Sequence, residues 1–235
     1  EWRLSTPNLE NTELNRLQDI PITGFDWGAS GLAAVWAEAN TRDSIYAALR
    51  RKETFATSGT RIRVKFFGGY DLDPTRLGDT GVTMGGEIEA RKRGVPRFYA
   101  WALRDPMSAW LQRLQIVKGW FDAGTRHERV YDVACADGLV PNSDTHRCPD
   151  NNASVDLTTC SYDFDKGAAE LKVAWEDPDF DRKQHAFYYV RVLENPTCRW
   201  STWDALRLGV PLSDEKEPTL QERAWSSPIW ILPVT

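Results

Sequence analysis

The stretch "GLAAVWAEANTRDSIYAALRRKETFATSGTRIRVKFF", residues 31–67, decides how the rest of the chain is read. "GLAAVWA" is an apolar run that reads as a buried strand. Asn40 or Thr41 can cap a helix after it, with Asp43 well placed against the positive end of the helix dipole. Ile45, Ala48 and Leu49 fall at i, i+3 and i+4 and give that helix one buried face. Arg50, Arg51 and Lys52 close it at the carbonyl end. "TFATSGT" then turns at Gly59 into "RIRVKFF", where Ile62, Val64 and Phe66 face one way and Arg61, Arg63 and Lys65 the other. Strand, helix and strand make a βαβ-like step. Such steps build parallel sheets in series, and here one stands alone near the start of the chain.

Beyond Phe67 the pattern alternates instead. "RFYAWALRD", "LQRLQIVKGWF", "ERVYDVA", "ELKVAWED", "HAFYYVRVLE" and "SPIWILPV" are strand-like runs between Gly, Pro, Asp and Asn turn signals. With "RIRVKFF" they make seven, the pattern of an antiparallel, Ig-like β-sandwich. The longer connections, near 68–95, 135–165 and 195–225, become loops at its ends. Before residue 31, "TPNLENTELNRLQDI" can hold one short helix with Leu9, Leu14 and Leu17 as a sparse apolar face. The expected division is therefore a βα piece over 1–58 and a sandwich over 59–235. A single crossover has no sheet to complete, so the first piece is expected to pack on the sandwich or on sequence outside this chain.

The 235 residues carry a net charge of -5 and 27% charged residues. That suits a folded domain with a real core and argues against a general nucleic-acid binder, which needs a basic surface. "LRRK" and "ARKR" are the longest basic runs, both short and flanked by acids. No apolar run is long enough to cross a bilayer. Glu1 opens a polar segment rather than a signal peptide, so an export signal is expected to be already removed or to lie outside this sequence.

Cys135, Cys148, Cys160 and Cys198 cluster in one half of the chain on loop-like sequence, which points to two disulfides and an oxidising compartment, periplasmic or extracellular. Four cysteines allow three pairings. The turn signals in "ADGLVPNSDTHR" fold Cys135 back toward Cys148. Cys160 and Cys198 flank "ELKVAWED" and "HAFYYVRVLE", and a hairpin of those two runs would bring them together. The expected pairing is Cys135–Cys148 and Cys160–Cys198. A zinc site of Cys135, His146, Cys148 and Cys160 is the rival, weakened because no pair has C-x₂-C spacing.

Catalytic signatures are sparse. His127, His146 and His185 sit in no paired metal-binding motif and read as exposed or capping residues. "GASG" at 28–31 is too short for a nucleophile elbow. "FFGGYDLD" and "TMGGEIE" read as turns rather than phosphate loops. Asp177, Asp179 and Asp181 in "EDPDFDRK" have D-x-D-x-D spacing, but Arg182 stands where a calcium loop needs glycine, so a solvated turn around Pro178 is expected. "NAS" at 152–154 fits a glycosylation sequon, a pattern too common to carry weight alone. Of eleven Trp, Trp101, Trp120, Trp175 and Trp230 sit on strands and suit a core. Trp200 and Trp203 in "CRWSTWDALRLGV" either form an exposed aromatic platform, as a sugar-binding module would, or pin a loop to the sandwich.

Four long stretches carry a family resemblance: residues 31–69, "LQRLQIVKGWFDAGTRHERVYDVAC", "EDPDFDRKQHAFYYVRVLENPTCRWSTWDALRLGVP" and "QERAWSSPIWILP". Together they resemble the C-terminal region of the bacterial domain-of-unknown-function 3604 family. The resemblance implies longer, usually exported relatives of the PHP type of metallohydrolase, including carbaryl-esterase-like enzymes. It implies metal-binding His and Asp residues on earlier segments of a distorted α/β barrel, and "ALRRKETFATSG" as that barrel's last helix and the strand leaving it. This chain has none of those upstream histidine motifs, so it is expected to be a C-terminal portion with no catalytic residue, no metal site and no cofactor of its own. A divalent metal is expected only in a full-length protein, with the N-terminal barrel as partner.

On that reading Glu38, Asn40 and Arg42 lie at a strand-to-helix turn of the kind that faces the mouth of an α/β barrel. Thr57, Ser58 and Gly59 follow the helix and fall at its opposite end or at the domain junction. The plainer reading of all six is capping and turn geometry. The expected function is a non-catalytic portion of an exported PHP-like hydrolase that packs on the barrel and shapes its substrate entrance. The alternative is an autonomous module that binds glycan or a surface partner.

Overall fold

In the computed structural model, which describes residues 31–122, 124–212, 214 and 216–234, the alternating runs form strands and the Thr41 region caps a helix. The helix expected within residues 6–20 lies outside the described residues. In chain order the elements begin with β1 (Leu32–Val35), α1 (Arg42–Arg50), β2 (Thr54–Thr57), β3 (Arg63–Gly69), α2 (Leu77–Thr80), β4 (Val82–Thr83) and β5 (Glu87–Glu89). The long strands follow: β6 (Arg97–Leu103), β7 (Leu111–Asp122) and β8 (Thr125–Cys135). Then come β9 (Val155–Asp156), β10 (Ser161–Tyr162), β11 (Glu170–Glu176), β12 (His185–Glu194) and β13 (Thr197–Cys198). The chain closes with α3 (Trp200–Leu208), β14 (Thr219–Leu220), β15 (Arg223–Ser226) and β16 (Ile229–Leu232).

Two predominantly antiparallel sheets share one apolar core. The smaller has the order β11-β6-β3-β4, and the larger is built around β12. The even-numbered residues of β3 and β6 (Val64, Phe66, Phe98, Ala100, Ala102) meet those of β7 and β12 (Leu114, Ile116, Tyr188, Val190, Val192) in that core. Period-two alternation produces this directly, since every second side chain of a strand points to one face.

One edge of β12 pairs along its length with β7, which pairs with β8. The other edge forks. Tyr188 and its neighbours pair with β16, while Arg191–Leu193 pair with β15. Val190 sits at the fork, where its N–H would lack a backbone partner, and the Ser226 hydroxyl accepts it at 3.0 Å. Pro228, which has no N–H to donate, stands in the two-residue step between β15 and β16.

The opening stretch departs from the expected crossover. Val35 pairs with Thr54 and Leu32 with Thr57, so β1 and β2 run antiparallel. The chain leaves and returns at the same end, and α1 sits at that end rather than lying along the strands. Lys52, with φ of 61°, reverses the chain directly after α1. Thr41 caps α1 by accepting from the Ser44 N–H. Ala48 is buried, but Leu49 is 50% exposed; among the described residues β1 is the strand beside α1. Leu32 is likewise 41% exposed, and among the described strands β1 lies at the end of the larger sheet. β2 pairs in turn with β15, so the sheet runs unbroken past the division expected at residue 58.

β11 and β12 lie in different sheets and do not form the expected hairpin. They form an arch through 177–184, and both return to Leu111. Leu111 exchanges backbone hydrogen bonds with Ala168 before β11 and stands opposite Glu194 at the end of β12. That common anchor brings the flanking cysteines together. The disulfides are Cys135–Cys148, with Cα atoms 5.7 Å apart, and Cys160–Cys198, 5.6 Å apart. All four thiols are used, which removes the zinc alternative. Each bridge is worth about 2–4 kcal/mol, chiefly by restricting the unfolded chain.

Candidate functional site

Antiparallel pairing of β1 and β2 separates the six residues singled out in the sequence. Glu38, Asn40 and Arg42 lie at the α1 end and are exposed. Thr57, Ser58 and Gly59 lie at the other end, in a corner where β2, β12 and β15 finish or start. Thr57 is buried and its hydroxyl accepts from the Gly59 N–H at 3.2 Å. Gly59 has φ of 144°, a conformation that favours glycine. The Ser58 hydroxyl donates to the Glu222 carboxylate and accepts from the Arg223 N–H at 2.8 Å.

Beside this corner Glu194 is fully buried. Ser108 donates to one of its oxygens at 2.5 Å, while the other oxygen and the Thr60 hydroxyl have no hydrogen-bond partner. Burial, reinforced by the nearby charges of Glu222 and Asp105, pushes the Glu194 carboxyl up to about 8. It is therefore largely protonated at neutral pH, and its free oxygen can donate that proton to the Thr60 hydroxyl.

Arg223 carries the corner into a polar cleft of about 550 Å³, whose other walls include Gln112, Arg113, Cys148, Asp150, Glu217 and Gln221. The walls are built from both disulfide loops and are tightly cross-linked. Gln221 donates to Gln112 at 2.9 Å, and Gln112 donates to Asn151 at 3.0 Å. Asp132, buried beneath, accepts from Gln115 at 2.5 Å and from the Cys148 N–H at 2.7 Å, and pairs with Arg113 and Arg147. Arginines, amides and carboxylates line the cleft, with no histidine among them. Such walls offer donors and acceptors suited to a polar group.

The aspartate motif has a structural part. Asp177 is buried and its carboxylate accepts from Lys118 Nζ at 2.6 Å and from the Tyr188 hydroxyl at 2.6 Å. Asp179 accepts from Tyr131 at 2.9 Å and pairs with Arg129 at 2.5 Å. The first two aspartates thus serve different partners and tie the arch between the sheets: Asp177 is buried at its base, while Pro178, Asp179 and Asp181 are exposed, as expected of a solvated turn. The Tyr188 hydroxyl, desolvated and facing Asp177, is held far above its ordinary range. Among the described residues no three metal-ligating side chains converge.

A family model described as "Protein of unknown function (DUF3604)" matches residues 4–233. The chain belongs to the DUF3604 family. No curated protein and no solved structure matches it.

In this DUF3604 chain the strand tryptophans divide. Trp120 and Trp175 pack against the core, whereas Trp101 lies outside it and donates to Glu170 at 2.6 Å. Trp230 lies on the outer face of β16 and lines a second pocket, of about 450 Å³, with Phe121, Phe187, His127 and His185. On α3, Trp203 is 39% exposed with the Arg207 guanidinium 5.4 Å from its ring, while the Trp200 indole N–H is buried without a partner. Sequence reading missed the second pocket. Its one local signal was Gly119, a lone glycine inside a strong strand, which marks a close approach.

Proposed function

We propose that this chain is a non-catalytic part of a longer, exported, PHP-like metal-dependent hydrolase, and that its polar cleft borders the path by which substrate reaches the catalytic part. The observation that carries the reading is the Ser58 corner. Ser58, expected from the sequence at the substrate entrance or the domain junction, is hydrogen-bonded to Arg223, and Arg223 is a wall of the cleft. In this reading the two sheets form an Ig-like sandwich. Divalent metal and its His and Asp ligands belong to the barrel portion. Two disulfides and the absence of a long apolar helix among the described residues support a periplasmic or extracellular setting.

The test is direct. Purified 1–235 is assayed with aryl esters and phosphate esters, with and without Mn²⁺ or Zn²⁺. The expected result is no turnover above metal and buffer alone. Metal-dependent turnover by this chain overturns the reading. A second reading, an autonomous module for glycan or a surface partner, has one observation in its favour: the exposed face of Trp203 on α3.

A further inference from the structure

The pocket at the His185 end of β12 differs in kind from the polar cleft. Phe187 and His185 alternate with the core residues Ala186 and Tyr188, so they point away from the core. Phe187 lies across β7 rather than standing off it: a Cβ at Gly119 would come within 2.3 Å of its ring. Glycine at 119 is what lets the ring lie flat as a floor. Trp230 rises beside it, with ring centroids 5.1 Å apart and planes inclined at 52°. Phe121 is 57% exposed at the edge. The rim adds Arg126 and Glu128, one charge of each sign, and the His185 imidazole; the His127 ring stacks on Trp120 instead, with centroids 5.1 Å apart.

We propose that this pocket is a saccharide site that takes one neutral pyranose ring. An aromatic floor and wall suit the C–H face of a sugar, and the rim supplies donors and acceptors for its hydroxyls. The balanced rim charge favours a neutral ligand over an anion or a cation. Its volume, about 450 Å³, lies within the range of small-ligand pockets. The inference goes beyond the hydrolase reading and stands apart from it, because the pocket and the cleft occupy opposite ends of β7 and β12. It also gives the binding-module reading a site other than α3.

Trp230, the wall of the pocket, makes it its own reporter. Intrinsic fluorescence is titrated with methyl glucopyranoside, methyl mannopyranoside and N-acetylglucosamine, with phenol as the aromatic comparison. The expected result is a saturable change with at least one sugar, weakened by about tenfold or more in Phe121→Ala and unchanged in Trp203→Ala. Phe121 is exposed, so its truncation spares the core, and Glu128→Gln provides a second variant expected to weaken binding. No saturable change with any of the three sugars overturns the proposal, as does saturation by phenol alone. Sugar binding lost in Trp203→Ala but kept in Phe121→Ala also overturns it, and places the site on α3.

Discussion

Glu194 gives folding a pH-dependent contribution. Its carboxyl has an ordinary value of 4.5 and is raised to about 8 in the folded protein. The folded state therefore binds this proton more tightly than the unfolded state does. Stability from this group is fully present below 4.5 and is lost as pH rises through 8. Within that window the loss approaches about 1.4 kcal/mol per pH unit. Glu194→Gln keeps the acceptor for Ser108 and supplies an amide donor without a titrating proton. We expect the urea midpoint of the parent protein, relative to Glu194→Gln, to fall between pH 5 and 8. Parallel midpoints across that range would contradict the assignment. Nothing in the sequence marks Glu194. It closes a strand before "NP", where a carboxylate ordinarily meets water, and here it is packed in the corner with Ser108 and Glu222. Ser58 was legible as a turn residue because Ser and Gly after a helix signal a turn, but its partner Glu222 lies 164 positions away.

At the scale of elements, the arch between β11 and β12 rests on a buried ion pair. Lys118 and Asp177 are 2% and 0% exposed at their side chains, and Lys118 also donates to the Asp179 carbonyl at 2.7 Å. Removing one partner leaves a charge buried without its counter-ion. Asp177→Asn should therefore cost about 3–5 kcal/mol in urea unfolding. Lys118→Met combined with Asp177→Asn should recover part of that loss, because the orphaned charge is gone. A single substitution costing under about 1 kcal/mol would show that the pair is not desolvated. The seven alternating runs were legible and correspond to β3, β6, β7, β8, β11, β12 and β16. β15 was not, because "RAWS" offers only four residues and takes its place from pairing with β2 and β12. The cysteine pairing follows from strand ends meeting, yet the strands meet as an arch and not a hairpin. Alternation gives each strand a buried face but does not say which sheet it joins.

At the scale of the molecule, the opening step shows the same limit more sharply. A capped helix between two strands reads alike whether the strands end up parallel or antiparallel. Here the left-handed turn at Lys52 and pairing of β2 with β15 draw 31–58 into the larger sheet. The layered β architecture was thus readable from periodicity, while membership of the first strands was decided by contacts across more than 160 residues. The same topology gives the molecule two unlike ends, one polar and braced by disulfides, one aromatic. The central claim is that this chain works as part of a larger exported protein. An antiserum raised against this chain, used on cytoplasmic, periplasmic and medium fractions of the source cells, tests that most directly. The account predicts a disulfide-bonded species well above 26.7 kDa in the periplasm or medium. A species of 26.7 kDa confined to the cytoplasm would contradict it.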